Sequence, residues 1–358
     1  MALESMIVDM FKLIDERVRA SVEELHAVYR KLQKFIINNS DMLSLCKIPH
    51  ISWYGRMGGV DGSEHKIERR GIVLIGVSAS GIVVDNGNID RYKEFDINWL
   101  NGFAQEDVAA LTSISRQYME RHMQINMSSK CDLLLVDGPP YPHGMSLDSF
   151  VSAKSITSKY AYVWDKIYGE NGLMEAFIDL GTPHAYIIKN TESNEYIRRM
   201  GITPDQGLSR IRDIDLMNMI LPPANDEYII ISEPRPVSVE RIRVAQKKVS
   251  ERYASYINEM YFFYMRVSSA LPIRVEVHKS MLPNLSSIVN AIADATNTAN
   301  NVPWILEIAH EHSQLDTRLL SHVADRIMNE LFNRVKDDTI LNLFAPNHGS
   351  ESFWFAKM

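Results

Sequence analysis

The sequence predicts an α/β fold, built as one elaborated domain. Three observations predict it. Short Val- and Ile-rich runs alternate with longer segments of helical periodicity from Pro49 onward. One such run, "DLLLVDG" at 132–138, is continuous and aliphatic, as a strand covered on both faces would be. No proline- or glycine-rich linker is long enough to split the chain into two domains.

Residues 1–48 contain neither glycine nor proline. Leu3, Ile7, Met10, Ile14, Val18, Val22, Leu25, Tyr29, Leu32 and Ile36 recur close to a 3.6-residue period. This reads as one long amphipathic helix or two in series. A helix of about 35 residues is ~50 Å long, so it packs across the body or against a second subunit. From Pro49 the composition turns to glycine, valine and isoleucine. "ISWYGRMGGVDGS", "RRGIVLIGVSA" and "SGIVVDNGN" read as three consecutive strands, with Ser80-Gly81 as a tight turn between the last two. "QEDVAALTSISRQYMERHMQINMSS" follows as a helix with Val108, Leu111, Tyr118, His122 and Ile125 on one side. "DLLLVDG" is then a buried strand.

The second half alternates again. A helical stretch spans about 146–175, a strand "AYIIKNTES" ends in a lysine, and a helix around 207–221 stops at Pro222-Pro223. "EYIIISEPRPV" is a strand, and the segment from Ser238 to Met260 is a helix with Ser238 as N-cap. "YFFYMRVS" and "IRVEVHK" form an antiparallel pair. A helix near 284–297, a strand "WILEIAHEH" and a helix from about 313 to 335 complete the order.

Composition bounds the function. The 358 residues are 46% hydrophobic and 23% charged, an ordinary globular balance. Only two cysteines occur, Cys46 and Cys131, without metal-ligand spacing. That argues against a disulfide framework or a cysteine zinc site and for a cytoplasmic, reducing setting. The first residues carry charges through their apolar positions, unlike a signal peptide, and no apolar run approaches the ~18 residues of a membrane span. A formal net charge of −7 argues against coating nucleic acid by bulk charge. It leaves room for a local basic groove or a metal site.

Two "VDG" segments carry the candidate chemistry, at 60–62 and 136–138. An aspartate before glycine at a strand's end is commonly a turn residue. The pair is more informative, because strand, hairpin, helix and second strand can bring Asp61 and Asp137 to neighbouring strands. Hard divalent cations need such clustered oxygen ligands, and two-metal phosphoryl chemistry shares them between ions ~3.5–4 Å apart.

Along most of its length the chain resembles the NurA nucleases, archaeal and bacterial enzymes that work with the HerA hexameric DNA translocase. The resemblance rests on "VDGS" at 60–63, "DLLLVDGPPY" at 132–141 and "AYIIKNTES" around Lys189. It extends to the strand pair around Arg274 and Glu276, and to "VPWILEIAHEHSQL" with His310. It implies a ribonuclease-H-like mixed sheet core flanked by helices, with a long N-terminal helix and C-terminal helical additions. It implies residues 1–48 as a helical packing or dimerisation segment, 49–346 as the nuclease domain and 347–358 as a tail. It implies a homodimer that cleaves DNA with Mn²⁺ or Mg²⁺, as 5′-to-3′ exonuclease and single-strand endonuclease. End resection in double-strand break repair by homologous recombination is the expected setting. By the same carry-over Asp61, Glu120, Asp137 and His310 are catalytic residues and metal ligands, and Lys189 contacts the phosphate or the DNA.

The residues themselves say less. On a helical wheel Glu120 falls among Ser113, Gln117 and Gln124 and reads as solvated. Glu106 and Asp107 read as helix caps. His310 and His312, two apart on a strand, would point the same way. His143 reads as a loop histidine, and Asp213 and Asp215 read as structural. Where many members of the family have a tyrosine-proline pair, this chain has Val302-Pro303. Two further readings share the same fold: a non-catalytic adaptor on a translocase, and a ribonuclease-H-like enzyme acting on RNA or hybrids.

Overall fold

The computed structural model describes residues 2–38, 43–69, 72–101, 105–141, 157–189, 191, 193–199, 211–237 and 249–334. Among these, a ten-stranded mixed sheet organises the molecule. Three long strands, β2 (Met57–Arg69), β3 (Ile72–Asp85) and β4 (Asn88–Asn101), form an antiparallel meander. β5 (Leu133–Asp137) lies parallel to β2, and β6 (His184–Ile188) lies parallel to β5. A meander followed by two strands parallel to its first member is the ribonuclease-H-like core. The sheet continues through β10 (Ile273–His278), β9 (Met260–Met265) and β7 (Tyr228–Ser232) to β1 (Leu45–Pro49), and the short β8 (Arg235–Pro236) pairs with β9.

Helices cover both faces. Four of them, α2 (Gln105–Ser128), α3 (Thr157–Tyr168), α4 (Leu173–Leu180) and α7 (Glu251–Asn258), pack on one face around Val60, Val136 and Tyr186. Two others, α8 (Leu285–Asp294) and α9 (Trp304–Ser313), pack on the opposite face around Leu135, Ile187 and Val275. The remaining described α-helices are α1 (Ala2–Asn38), α5 (Glu195–Arg199), α6 (Asp213–Ile220) and α10 (Thr317–Arg334). No described helix is long and apolar enough to cross a membrane.

Several elements differ from the sequence reading, each for a physical reason. Ser80-Gly81 is not a turn: β3 runs straight through it. A Cβ on Gly81 would lie 2.4 Å from the Met127 sulfur, so this glycine lets α2 approach the sheet. The hairpin turn is instead Asn86-Gly87, both at positive φ, between the paired Asp85 and Asn88. The third strand is therefore β4, which the reading of 80–88 as a strand missed. The N-terminal helix is described as far as Asn38, and Leu45–Pro49 forms an edge strand against β7 rather than more helix. "WILEIAHEH" is a helix, not a strand. It starts after Pro303 and buries Ile305, Leu306, Ala309 and Ser313, a helical rather than an alternating set. The helix read from Ser238 is described only as α7, with Ser250 accepting from the Tyr253 N–H as its cap. Ser238, His143 and the side chains of Glu106 and Asp107 lie outside the described residues, as does the tail 347–358.

Candidate active site

The two aspartates stand side by side. Val60 on β2 is paired with Val136 on β5, and Asp61 and Asp137 are the next residue on each strand. Adjacent strands lie ~4.8 Å apart and successive side chains alternate, so both carboxylates leave the same face. That face is the one α9 covers. A Cβ on Gly59 would meet Ile305 Cγ1 at 2.9 Å, so this glycine sets how closely α9 can lie on β2. The closeness brings His310, in the last turn of α9, to Asp61: Nδ1 to Oδ2 is 2.9 Å.

The tautomer follows from the second ring nitrogen. Gln314 Nε2 lies 3.0 Å from His310 Nε2, and an amide nitrogen only donates. His310 Nε2 is thus the acceptor, Nδ1 carries the proton, and the ring donates to Asp61. The other Asp61 oxygen accepts from the Gly62 N–H at 2.7 Å.

Glu120 enters from α2, and its setting overturns the solvated reading. It is buried, and a Cβ on Gly62 would lie 2.6 Å from its Cγ and Oε1. The polar face of α2 turns inward. Glu120 accepts from Arg116 Nη1 at 2.5 Å, and Gln117 accepts from the Tyr168 hydroxyl at 2.8 Å. Lys189 follows β6 directly and donates to Asp137 Oδ2 at 2.9 Å.

Electrostatics ties the three carboxylates together. Burial is the main cause that pushes Asp61 up to about 8, and the charges of Asp137 and Glu120 push the same way. Glu120 is likewise raised, first by burial, against the pull of Arg116 and Arg121. As they stand, each carboxylate leans on its own partner, and no three His, Cys, Asp or Glu among the described residues form a ready cage for a metal ion. The donor chemistry nonetheless fits a hard divalent cation: oxygen ligands, like-charged, half or fully buried and mutually repelling. A cation there would relieve the repulsion that raises Asp61.

The loop after Asp137 is held firmly. Gly138 takes φ +79, Arg121 Nη2 donates to the Pro139 carbonyl at 2.8 Å, and the Tyr253 hydroxyl donates to the Pro140 carbonyl. The Tyr141 hydroxyl donates to Glu276 at 2.7 Å, and Glu276 pairs with the fully buried Arg274. Arg274 and Glu276, on β10, thus support the loop from the sheet face that α2 packs on. Asp213 is buried under hydrogen bonds from Ser193 and the Ile197 N–H, and Asp215 caps the Arg212 N–H, so both are structural. His312 does not share His310's target; its Nδ1 contacts Ser80 at 2.8 Å on β3. The sequence reading missed Arg116 and Arg121. Arg116 was open to it as the i,i+4 partner of Glu120, whereas Arg121 acts through a distant loop that no spacing reveals.

Residues 55–315 match the NurA domain. No curated protein matches the chain. Among solved structures it is similar to the NurA nuclease from Sulfolobus solfataricus, with a TM-score of 0.64 at 14% identity over 91% of this chain and 98% of that one. A second NurA crystal structure is similar with a TM-score of 0.54 at 13% identity, over 90% of this chain and 97% of that one. A NurA structure bound to dAMP and manganese has a TM-score of 0.49 at 13% identity, over 90% and 97% of the two chains. At these identities the likeness to the solved structures is one of fold.

Proposed function

This chain belongs to the NurA family, and on that premise we propose that it is a DNA nuclease whose cation, Mn²⁺ or Mg²⁺, binds at Asp61, Glu120 and Asp137. The observation that carries the reading is the adjacency of Asp61 and Asp137 on parallel strands, with Glu120 near enough to raise Asp61 further. A divalent cation bound there supplies Lewis-acid stabilisation of a phosphoryl oxygen and makes water a nucleophile near neutral pH.

The chain's own residues have distinct tasks. Asp61, held by His310 Nδ1 and the Gly62 N–H, is fixed in one orientation. His310 Nε2, on a half-exposed ring, accepts the proton of the attacking water once the Gln314 amide that now donates to it swings aside. Lys189, beside Asp137, offers its ammonium to a non-bridging phosphate oxygen. Arg116 holds Glu120 in the buried position from which it faces Gly62.

The test is a digest of single-stranded DNA with and without Mn²⁺, using wild type and Asp137→Ala. Cation-dependent cleavage lost in the variant supports the reading; full cleavage by Asp137→Ala or Asp61→Ala overturns it. The 5′-to-3′ polarity, the single-strand endonuclease activity, the part in end resection and the HerA-type translocase partner are proposed on family membership alone. Co-sedimentation with such a hexamer tests the last. A homodimer is supported by α1, where Ile14, Val18, Val22, Leu25 and Tyr29 form an exposed apolar stripe. The adaptor reading has one observation in its favour, the engagement of each carboxylate by its own partner. A panel of DNA, RNA and hybrid substrates separates the remaining alternative.

A further inference from the structure

We propose that Arg91, Lys93 and Phe95, on the outer strand of the meander, form a track that binds the strand of DNA beyond the phosphate being cut. This rests on the nuclease reading and names where its substrate runs.

The register places the track. Asp61 on β2 is opposite Ser80 on β3, and Ser80 is opposite Lys93 on β4. Directly paired residues share a face, so Asp137, Asp61, Ser80 and Lys93 lie in one row across four strands. Two strand spacings, ~10 Å in all, separate Asp61 from Lys93. Arg91 and Phe95 lie two residues to either side of Lys93 and so leave the same face, each ~7 Å further along the strand. β4 is the end of the sheet, so nothing in the sheet lies beyond this row.

All three side chains are exposed, Phe95 at 66%. An aromatic of that size on an edge strand has no packing role in the chain as described. It does suit a base, which can stack on it. Lys93 also connects physically to the site: its Nζ donates to the Gln314 carbonyl at 2.8 Å, and the Gln314 side chain contacts His310. The acids of β4 do not spoil the track. Asp90, Glu94 and Asp96 alternate onto the other face, where Glu94 is taken up by His122 and Asn126 of α2. Two cations and one aromatic on one face, in line with a carboxylate cluster, match a single strand's needs: charge for the backbone and a flat surface for a base. They also show how a chain of net charge −7 can hold a polyanion locally.

The test measures binding of a fluorescent 12-nucleotide oligo-dT in Ca²⁺ across a salt series. Each phosphate contact on a single strand contributes about 0.7 to the slope of log K against log salt. The double variant Arg91→Ala/Lys93→Ala is expected to lower that slope by roughly 1.4, and Lys93→Arg to restore its share. Phe95→Ala is expected to weaken binding roughly 5- to 150-fold at an unchanged slope, the loss of one stacked base. A purely structural role for these residues would not separate slope from affinity in this way. If the variants keep the wild-type slope and affinity while wild type cleaves DNA with Mn²⁺, the track is overturned and the nuclease reading stands. If wild type neither binds nor cleaves, the nuclease reading falls and takes the track with it.

Discussion

Replacing Asp61 by asparagine should stabilise the metal-free protein while removing its cation site. Asp61 is only 3% exposed, and burial together with Asp137 and Glu120 raises it from 3.8 to about 8. Below pH ~3.8 the group is protonated both folded and unfolded, so it contributes nothing to stability. As pH rises toward 8 the unfolded chain ionises while the folded chain keeps its proton. Stability then falls by up to ~1.4 kcal/mol per pH unit, and the loss is complete above about 8. At pH 7 the gap of about 3 units sets an upper bound of about 4 kcal/mol. Asp137 and Glu120 share the repulsion and relax with it, so a gain of roughly 2 kcal/mol is expected for Asp61→Asn. Asparagine keeps an acceptor for the Gly62 N–H, and its amide nitrogen donates to His310 Nδ1 once the ring proton moves to Nε2 and Gln314 turns its amide oxygen there. Urea unfolding in EDTA at pH 5, 7 and 8 reads the effect: the variant's advantage should grow with pH. In excess Mn²⁺ the order should reverse, because only wild type binds the ion. A variant less stable than wild type in EDTA, or one whose advantage does not change with pH, would refute the reasoning.

Further expectations follow from the same geometry. Gly62→Ala places a methyl group 2.6 Å from Glu120 Cγ, so Glu120 must shift; cleavage should fall at least tenfold, and unfolding should show a loss of about 1–3 kcal/mol. The apparent Mn²⁺ affinity, measured by calorimetry, should rise up to tenfold per pH unit below about 8 and level off above, as binding expels the Asp61 proton. Lys189→Ala leaves Asp137 without its ammonium partner. It should cut kcat about 10²-fold, with Mn²⁺ binding as tight as in wild type or tighter. Val18→Glu with Leu25→Glu puts two charges on the exposed stripe of α1. If α1 carries the proposed homodimer, sedimentation should show the variant as monomer and the wild type as dimer.

What the sequence revealed, and what it hid, divides along the range of the forces involved. Asp61 and Asp137 were legible because each ends or interrupts an aliphatic run, and a parallel pairing of the two strands needs only their order along the chain. The Asn86-Gly87 turn carries an equally local signature of a two-residue hairpin, which Ser80-Gly81 only imitates. Glycine serves two ends, a turn or a close approach, and only the partner decides. Gly81 has Met127 above it, and Gly62 has Glu120. The same holds for the histidines: periodicity in "WILEIAHEH" fits a short strand or a short helix, and Pro303 together with contact to Gly59 selects the helix. Glu120 was the hardest case. A wheel assumes that a polar face meets water, yet α2 lies between the sheet and α3 with α4, so its polar face has nowhere to go but the interior. A buried polar face is costly unless every group on it is satisfied. Arg116, Gln117 and Tyr168 satisfy theirs with one another and with Glu120, but Arg116 leaves Glu120 raised above its usual range. The desolvated carboxylate at the end of that face is what marks the candidate site. It is a property of the packed helix and sheet together, which is why neither segment read alone could show it.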